Sequence, residues 1–218
     1  MFKILGKFPT EVGVACSGGV DSLSIVHFLM QNKKRTVHIH YVWHHIEDSP
    51  GSLKAVVDFF NKYEKEYPNL KFHFHELPPF TKDLKINDEH YWRKERYKIF
   101  NSLDYPIVTG HHLGDQLENW IMTSLTGNPS LIHYKNKNVI RPFLLNCKES
   151  FYNYAERHNI NYYTDLYNSD LSYRRNKIRA DIIPELIKIH PGFETTIRNK
   201  ILSQFYNTIN WLRIYFII

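Results

Sequence analysis

The sequence predicts an α/β fold, a parallel sheet with helices on both faces, followed by a small helical C-terminal extension. Three observations carry this expectation. First, β-rich runs at Val12 to Ala15, Thr36 to Val42, Leu70 to Leu77 and Pro106 to Thr109 alternate with segments of helical character. Second, a glycine-rich turn, Cys16-Ser17-Gly18-Gly19-Val20-Asp21-Ser22, joins the first strand to the first helix. Third, the fourth strand runs directly into a polar loop, Gly110 to Glu118, that opens another helix.

Each element has a local reason. Val12 to Ala15 is a short apolar run that suits a buried strand, and Leu23 to Met30 is apolar on most sides, as in a buried helix. In the second strand Val37, Ile39 and Tyr41 alternate with His38 and His40, and His44 and His45 follow its end. Ser49 can cap a helix and Pro50 suits its first turn. Leu53, Val56, Val57, Phe60 and Tyr63 then repeat at helical spacing, predicting an amphipathic helix from Gly51 to Tyr67 that Pro68 ends. Leu70, Phe72 and Phe74 alternate with Lys71, His73 and His75 in the third strand, which Pro78-Pro79 close. Asp88 to Leu103 reads as a helix with Glu89, Arg93 and Arg96 on one face, either a solvated salt-bridged face or a basic edge over a ligand. A helix to Leu125 follows the fourth strand, Val139 to Leu144 is a β-like run interrupted by Pro142, and Lys148 to His158 can form a helix.

A chain of 218 residues fits one domain, or one with a small appendage, and its 43% hydrophobic and 23% charged content suits a water-soluble globule. No run reaches the length of a membrane span, Met1-Phe2-Lys3 begins no cleavable apolar leader, and Trp211 to Ile218 is expected as a packed helix end. The expected location is the cytoplasm, with no membrane partner. Two cysteines, Cys16 and Cys147, far apart, argue against a disulfide scaffold, an iron–sulfur cluster or a four-cysteine zinc site. The net charge of +6 favours an anionic partner such as nucleic acid. Arg174, Arg175, Lys177 and Arg179 beside Tyr173 form either a solvated charge run or a phosphate or RNA contact.

The first turn has the chemistry of a phosphate cradle. Gly18 and Gly19 let the backbone approach an anion, Ser17 and Ser22 bring hydroxyls, and the new helix brings unpaired N–H groups. It differs from the Walker loop, which requires a lysine after its last glycine, where Val20 and Asp21 stand. An aspartate beside a polyphosphate calls for a bridging cation, so Asp21 suggests Mg²⁺. The plainer alternative is a glycine turn with a helix-capping serine. The first and fourth strands are expected to flank the switch point of the sheet, so that the cradle faces the loop after Thr109. There His111 and Asp115, read as i and i+4 at a helix start, would project together into the crevice. Alternatively His111 is a packed histidine and Asp115 a first-turn acid matched to the helix dipole. Zinc at His111 and His112 is disfavoured because neighbouring histidines diverge and no third ligand is well spaced.

Ser17-Gly18-Gly19-Val20-Asp21-Ser22 resembles the S-G-G-x-D-S signature of the N-type ATP pyrophosphatases, the PP-loop family. The resemblance implies a Rossmann-like sheet and an enzyme that splits ATP into AMP and pyrophosphate, activating an oxygen as its adenylate for attack by an amine or sulfur nucleophile. Further segments are similar, in order, to the tRNA(Ile)-lysidine synthetase branch. His111-His112-Leu113-Gly114-Asp115-Gln116-Leu117-Glu118 matches H-H-x-x-D-Q-x-E, and Arg141-Pro142-Phe143-Leu144 matches R-P-L-L. Asp165 to Asp170 resembles D-x-S/T-N-x-D, Arg175-Asn176-Lys177-Ile178-Arg179 matches R-N-x-I-R, and Ile183-Pro184-Glu185-Leu186 resembles L-x-P-x-L. Trp92 to Tyr97 echoes A-R-x-x-R-Y, whereas Asn119, Gly114 and Tyr167 depart from the usual pattern.

The resemblance implies ATP and Mg²⁺ as cofactors and CAU-anticodon tRNA and L-lysine as partners, with lysidine as the product. It assigns Ser17, Gly18, Gly19 and Ser22 to the pyrophosphate part of ATP and Asp21, with Asp115, to the metal. His111, Asp115 and Arg175 would complete the adenylation site, and Arg93 and Arg96 would position substrate. The implied domain spans residues 1–186, with a helical extension over 187–218, a short form for which a homodimer would compensate. Other outcomes are a different PP-loop tRNA modification, such as cluster-independent thiolation, and a non-catalytic tRNA- or nucleotide-binding remnant.

Overall fold

The structure, a computed structural model, describes residues 1–45, 49–78, 88–164 and 170–215; of residues 88, 89 and 209–215 the backbone alone is described. Strand β1 (Glu11–Ala15) pairs in parallel with β2 (Thr36–Trp43) on one side and with β4 (Ile107–Val108) on the other. Beyond β2 lies β3 (Leu70–Glu76), also parallel. Beyond β4 come β6 (Val139–Ile140), parallel, and β5 (Lys135–Asn136), antiparallel, giving the order β3-β2-β1-β4-β6-β5. Helices α1 (Val20–Met30), α2 (Ser49–Tyr63) and α3 (Asp88–Asn101) make the first three crossovers. The chain winds outward from β1 through β2 to β3 and then returns to the other side of β1. The expected switch point between the first and fourth strands is therefore present.

Alternation along β1 and β2 divides the core. Val12, Val14, Val37 and Ile39 bury on one face with Leu23, Val26, Phe143 and Phe151. On the other face Ile107, Val139 and Val42 bury beneath Phe100 and Trp92 of α3. Gly13 lies between His40 and Ile107, where a Cβ would sit 2.3 Å from Ile107 Cδ1, so this central position has room only for glycine unless its neighbours shift. A third cluster joins α4 (Leu113–Ser124) to α8 (Phe193–Tyr215). Ile197, Ile201 and Phe205, one face of α8, pack with Leu113, Leu117, Leu144 and Leu5.

Helix α5 (Lys148–Arg157) runs parallel to α1 and in register with it. Three rungs join them: Lys148 to Asp21, Ser24 Oγ donating to the Phe151 carbonyl, and His27 to the Tyr154 hydroxyl (2.9 Å). Each partner lies 127 residues from its mate, so the rungs climb both helices three residues at a time.

Several boundaries differ from expectation. Helix α1 begins at Val20, not Leu23. Helix α2 ends at Tyr63 and continues to Tyr67 only as a hydrogen-bonded turn (Tyr67 N to Tyr63 O, 2.9 Å). Of Val139 to Leu144 only two residues join the sheet, because the Arg141 amide turns to the Tyr134 carbonyl to close the β5–β6 hairpin. The hairpin passes through Lys137 at φ +52°. Residues 165–169, most of the Asp165 to Asp170 motif, and Pro79 lie outside the described residues. Helix α8 extends to Tyr215, and the packing expected for Trp211 to Ile218 lies outside the described side chains. Among the described residues no helix is long and apolar enough to cross a membrane.

The face carrying Gly13 also holds four histidines in two rows. His38 Nε2 donates to Glu11 (3.0 Å) while its Nδ1 meets His73 (2.8 Å); His40 bridges His75 (2.8 Å) and the Tyr105 hydroxyl (3.1 Å). The rings stack, with centroids 4.7 Å apart for His40 and His73 and 4.2 Å for His38 and Tyr105. Burial, then the neighbouring imidazoles of His73, His75 and His38, lowers His40 to about 3. His40 thus stays neutral in the folded chain but takes up a proton when unfolded near pH 6.5. Its contribution is full above pH 6.5 and declines as pH falls from 6.5 towards 3. Urea unfolding at pH 7.5 and pH 5 should show a loss of stability to which His40 contributes about 2 kcal/mol. His40→Gln should flatten that pH dependence; an unchanged slope would contradict this account.

Candidate nucleotide-binding site

The candidate phosphate loop is built by its own backbone. The Ser22 hydroxyl donates to the Gly19 carbonyl (3.0 Å) and accepts from the Ser17 amide (3.3 Å), pinning the turn. Gly18 adopts φ +80°, and a Cβ there would stand 2.5 Å from the Ser52 carbonyl at the start of α2. The Tyr163 amide donates to the Gly18 carbonyl (2.9 Å), and the Tyr163 ring lies so close to Gly51 that a Cβ would be 2.5 Å from it. Tyr41 fixes the other side, donating to the Ser49 carbonyl (2.9 Å) and meeting Ser52 Oγ (2.7 Å). Gly19 is the N-cap of α1 and brings no side-chain cap, so the first amides of α1 keep their capacity for an anion.

Asp21, in that first turn, has Oδ2 2.6 Å from Lys148 Nζ. Its Oδ1 is buried without a hydrogen-bond partner among the described residues. A buried carboxylate oxygen left unpaired beside a run of unfilled amides fits a divalent cation that bridges to phosphate. The loop after β4 closes over it, with Gly110 so near that a Cβ would lie 3.1 Å from Asp21 Cβ.

On that loop His112, not His111, is the N-cap of α4. His112 Nδ1 accepts from the Gly114 amide (3.0 Å), and Asp115 Oδ2 accepts from the His112 amide (2.8 Å). His111 therefore precedes the helix, which corrects its reading as a helical i, i+4 partner of Asp115. It remains next to Asp115 in charge, and the Thr109 hydroxyl is hydrogen-bonded to its Nδ1 (2.8 Å), leaving Nε2 for a ligand. Burial lowers His111 to about 4, against the pull of Asp115 and with the repulsion of Arg141, Arg93 and His112, so the ring is neutral at physiological pH. Burial works to raise the Asp115 carboxyl, but His112, the His112 amide that donates to it and Arg179 hold it low.

One turn further, Glu118 is buried and ion-paired with Arg179 (2.5 Å), whose Nη2 also lies 3.9 Å from Asp115 Oδ1. Burial raises the Glu118 carboxyl despite Arg179 and Arg175. Arg179 reaches this position from a π-helical turn, Ile178–Ile182, between the short α6 (Arg174–Lys177) and α7 (Ile183–Ile189). The wide turn buries Ile178 in the α4–α8 cluster while the next residue meets Glu118. The third wall is basic. Buried Arg141 donates to the His133 carbonyl (2.8 Å) and the Tyr97 hydroxyl (2.7 Å), and its Nε has no partner among the described residues. Arg93 stacks on the Tyr97 ring at 4.9 Å and its charge reaches His111, while the Glu89 side chain of the expected salt-bridged face lies outside the described residues.

The structure thus gathers Ser17, Gly18, Gly19, Asp21 and Ser22 at one loop, with His111 and Asp115 on the facing loop. Ser22 is spent on the turn, and Asp115 divides its oxygens between the helix cap and Arg179. Arg175 stands exposed on α6, close enough for its charge to act on Glu118. Sequence reasoning assigned no role to Lys148, Glu118 or Arg141, and it read Arg179 within a basic run as solvated or as a phosphate or RNA contact, not as the partner of Glu118. A lysine in the first turn of a helix, against the dipole preference, was the available signal for Lys148.

Fold and site together define an α/β protein with a glycine-rich strand-to-helix loop at the sheet's switch point, carrying Val20 and Asp21 where Walker loops carry lysine. Residues 3–186 match the PP-loop domain, and the chain belongs to the PP-loop family of ATP-using enzymes. Its curated relatives include the tRNA(Ile)-lysidine synthase of Persephonella marina, 30% identical over an alignment of 197 positions, gaps included, that covers 84% of this chain and 43% of the relative. The enzyme of the same name from Francisella philomiragia is 30% identical over an alignment of 225 positions, gaps included, that covers 96% of this chain and 54% of the relative. The chain spans about half the length of these relatives. Among solved structures, the U34-tRNA thiolase NcsA from Methanococcus maripaludis, with its 4Fe-4S cluster, shares the fold at a TM-score of 0.73 and 22% identity, covering 94% of this chain and 76% of that one.

The contrast between the two loop glycines is testable. Gly18→Ala should cost about 1–3 kcal/mol, since it combines positive φ with a backbone clash. Gly19→Ala, at φ −76° and with the added Cβ 3.6 Å from Ser17 Oγ, should cost well under that. Urea unfolding of both variants measures the difference, and equal costs would contradict the loop geometry described.

Proposed function

We propose that this protein is an ATP-dependent carbon–nitrogen ligase of the cytoplasm that converts the wobble cytidine of a CAU-anticodon tRNA(Ile) to lysidine. In the first step O2 of the cytidine attacks the α-phosphorus of ATP and pyrophosphate leaves. In the second the ε-amine of lysine attacks C2 of the base, AMP leaves and the amine loses its proton. The observation that carries this reading is the crevice between β1 and β4. An uncapped helix N-terminus with an orphaned Asp21 oxygen stands on one side, and the residues matching the lysidine synthetase motifs stand on the other.

The backbone of Ser17, Gly18 and Gly19 and the first amides of α1 would hold the pyrophosphate portion of ATP. Asp21, with Asp115 from the facing loop, would hold Mg²⁺, which when bound neutralises charge on the phosphates. His111, neutral and held through Nδ1 by Thr109, would present Nε2 to the reacting phosphate or base. Arg175 would meet the adenylate from the rim, and Arg141 and Arg93 give the opposite wall the positive charge an RNA backbone requires. The fold is shared with a thiolase that carries a 4Fe-4S cluster, but the two cysteines of this chain are too few to ligate such a cluster by themselves.

The test is transfer of labelled lysine to a CAU-anticodon tRNA(Ile) transcript in the presence of ATP and Mg²⁺, with pyrophosphate release followed in parallel. Both should occur, and Asp21→Ala should reduce them by at least about a hundredfold. Pyrophosphate release without lysine transfer would place the chain with another PP-loop modification. Folded protein that binds tRNA or ATP and does neither would make it a binding remnant.

A further inference from the structure

The phosphate loop from Cys16 to Ser22 has no basic residue, and its one charge, Asp21, has the sign of the ligand it is read to bind. A triphosphate site needs cationic partners, and Walker loops carry a lysine of their own for this purpose. Three observations point to the residue that supplies it here. Lys148 Nζ lies 2.6 Å from Asp21 Oδ2, with the two side chains 34% and 24% exposed, so the pair is sheltered yet reachable. Lys148 is the first residue of α5, where the helix dipole disfavours a cation, so its placement is not explained by helix preference. Its position is fixed from below by the parallel register of α1 and α5, whose next two rungs are Ser24 with Phe151 and His27 with Tyr154. That register sets two helix N-termini side by side, capped by Gly19 and Cys147 with no side-chain cap hydrogen bond on either.

We propose that Lys148 is an exchangeable counter-ion. In the nucleotide-free protein it neutralises Asp21. When a divalent cation takes over Asp21 along with the triphosphate, the flexible lysine stem carries Nζ onto a phosphate oxygen. This inference rests on the reading of the loop as an ATP site.

Exchange predicts effects of opposite sign, measurable by titration calorimetry on the full chain. Lys148→Met should bind Mn²⁺ alone several-fold more tightly, because Asp21 is released. It should bind the Mg²⁺ complex of an ATP analogue with a methylene between the α- and β-phosphorus about 10- to 100-fold more weakly. Lys148→Gln should behave in the same way, and Lys148→Arg should return both values towards the native ones. An unchanged analogue affinity, or both affinities falling together, overturns the inference and leaves Lys148 as a tie between two helices. If the native protein fails to bind the analogue, the inference and the ATP-site reading fall together. If it binds the analogue but transfers no lysine to tRNA, the proposed substrates fall and the exchange is judged on the binding data alone.

Discussion

The pairing of β1 with β4 is the constraint on which the site depends. Parallel strands present their carboxyl ends at one edge of the sheet, and the loops leaving adjacent strands normally diverge together. Here the chain has wound away from β1 through β2 and β3 before β4 returns to its other side, so the loops after Ala15 and Thr109 face one another. Gly110 shows how closely they meet, since a single added carbon would crowd Asp21. Gly13 and Ile107, interlocked one layer below, keep the two strands at that distance.

Around the crevice each acid is stabilised in a different way. Asp21 has a lysine from the neighbouring helix, Asp115 has the amide of a helix cap, and Glu118 has an arginine delivered by a π-helical turn. These partners are not equal in what they leave over. Glu118 is closed off by Arg179, Asp115 is split between two neighbours, and Asp21 alone keeps a buried oxygen unpaired among the described residues. A buried unpaired acceptor costs on the order of 1–3 kcal/mol, a cost that a ligand can relieve. The neighbouring Arg141 presents the converse, a buried guanidinium whose Nε lacks a partner on the wall where anionic substrate would lie.

Much of this was legible in the sequence, and the residues show why the rest was not. Alternation in Val37, Ile39 and Tyr41 and the turn at Gly18-Gly19 are local signals, and from them the strands, the strand-to-helix turn and the switch point were legible. The β5–β6 hairpin has two residues per strand, too few for alternation to register. The start of α4 was misplaced because histidine fills the cap position usually held by serine or threonine, so the cap formed by His112 and Asp115 went unread. Lys148 was missed for a different reason: beyond its place in a first helical turn nothing local marks it, its partner is 127 residues away, and only the packing of α1 on α5 brings them together. The two histidine rows were seen as alternation, but their mutual hydrogen bonds depend on the register of β2 against β3.

The central claim is that the nucleotide and its cation lie between β1 and β4 with Asp21 as the protein's ligand to the metal. The most direct measurement is a crystal structure of the chain grown with Mn²⁺ and the α,β-methylene analogue of ATP, with the metal located by its anomalous scattering. The account predicts a metal peak at Asp21 Oδ1, phosphate oxygens on the first amides of α1, and the rest of the nucleotide reaching towards the loop that carries His111. A nucleotide seated elsewhere, or an Asp21 with no metal beside a fully occupied nucleotide, would contradict it.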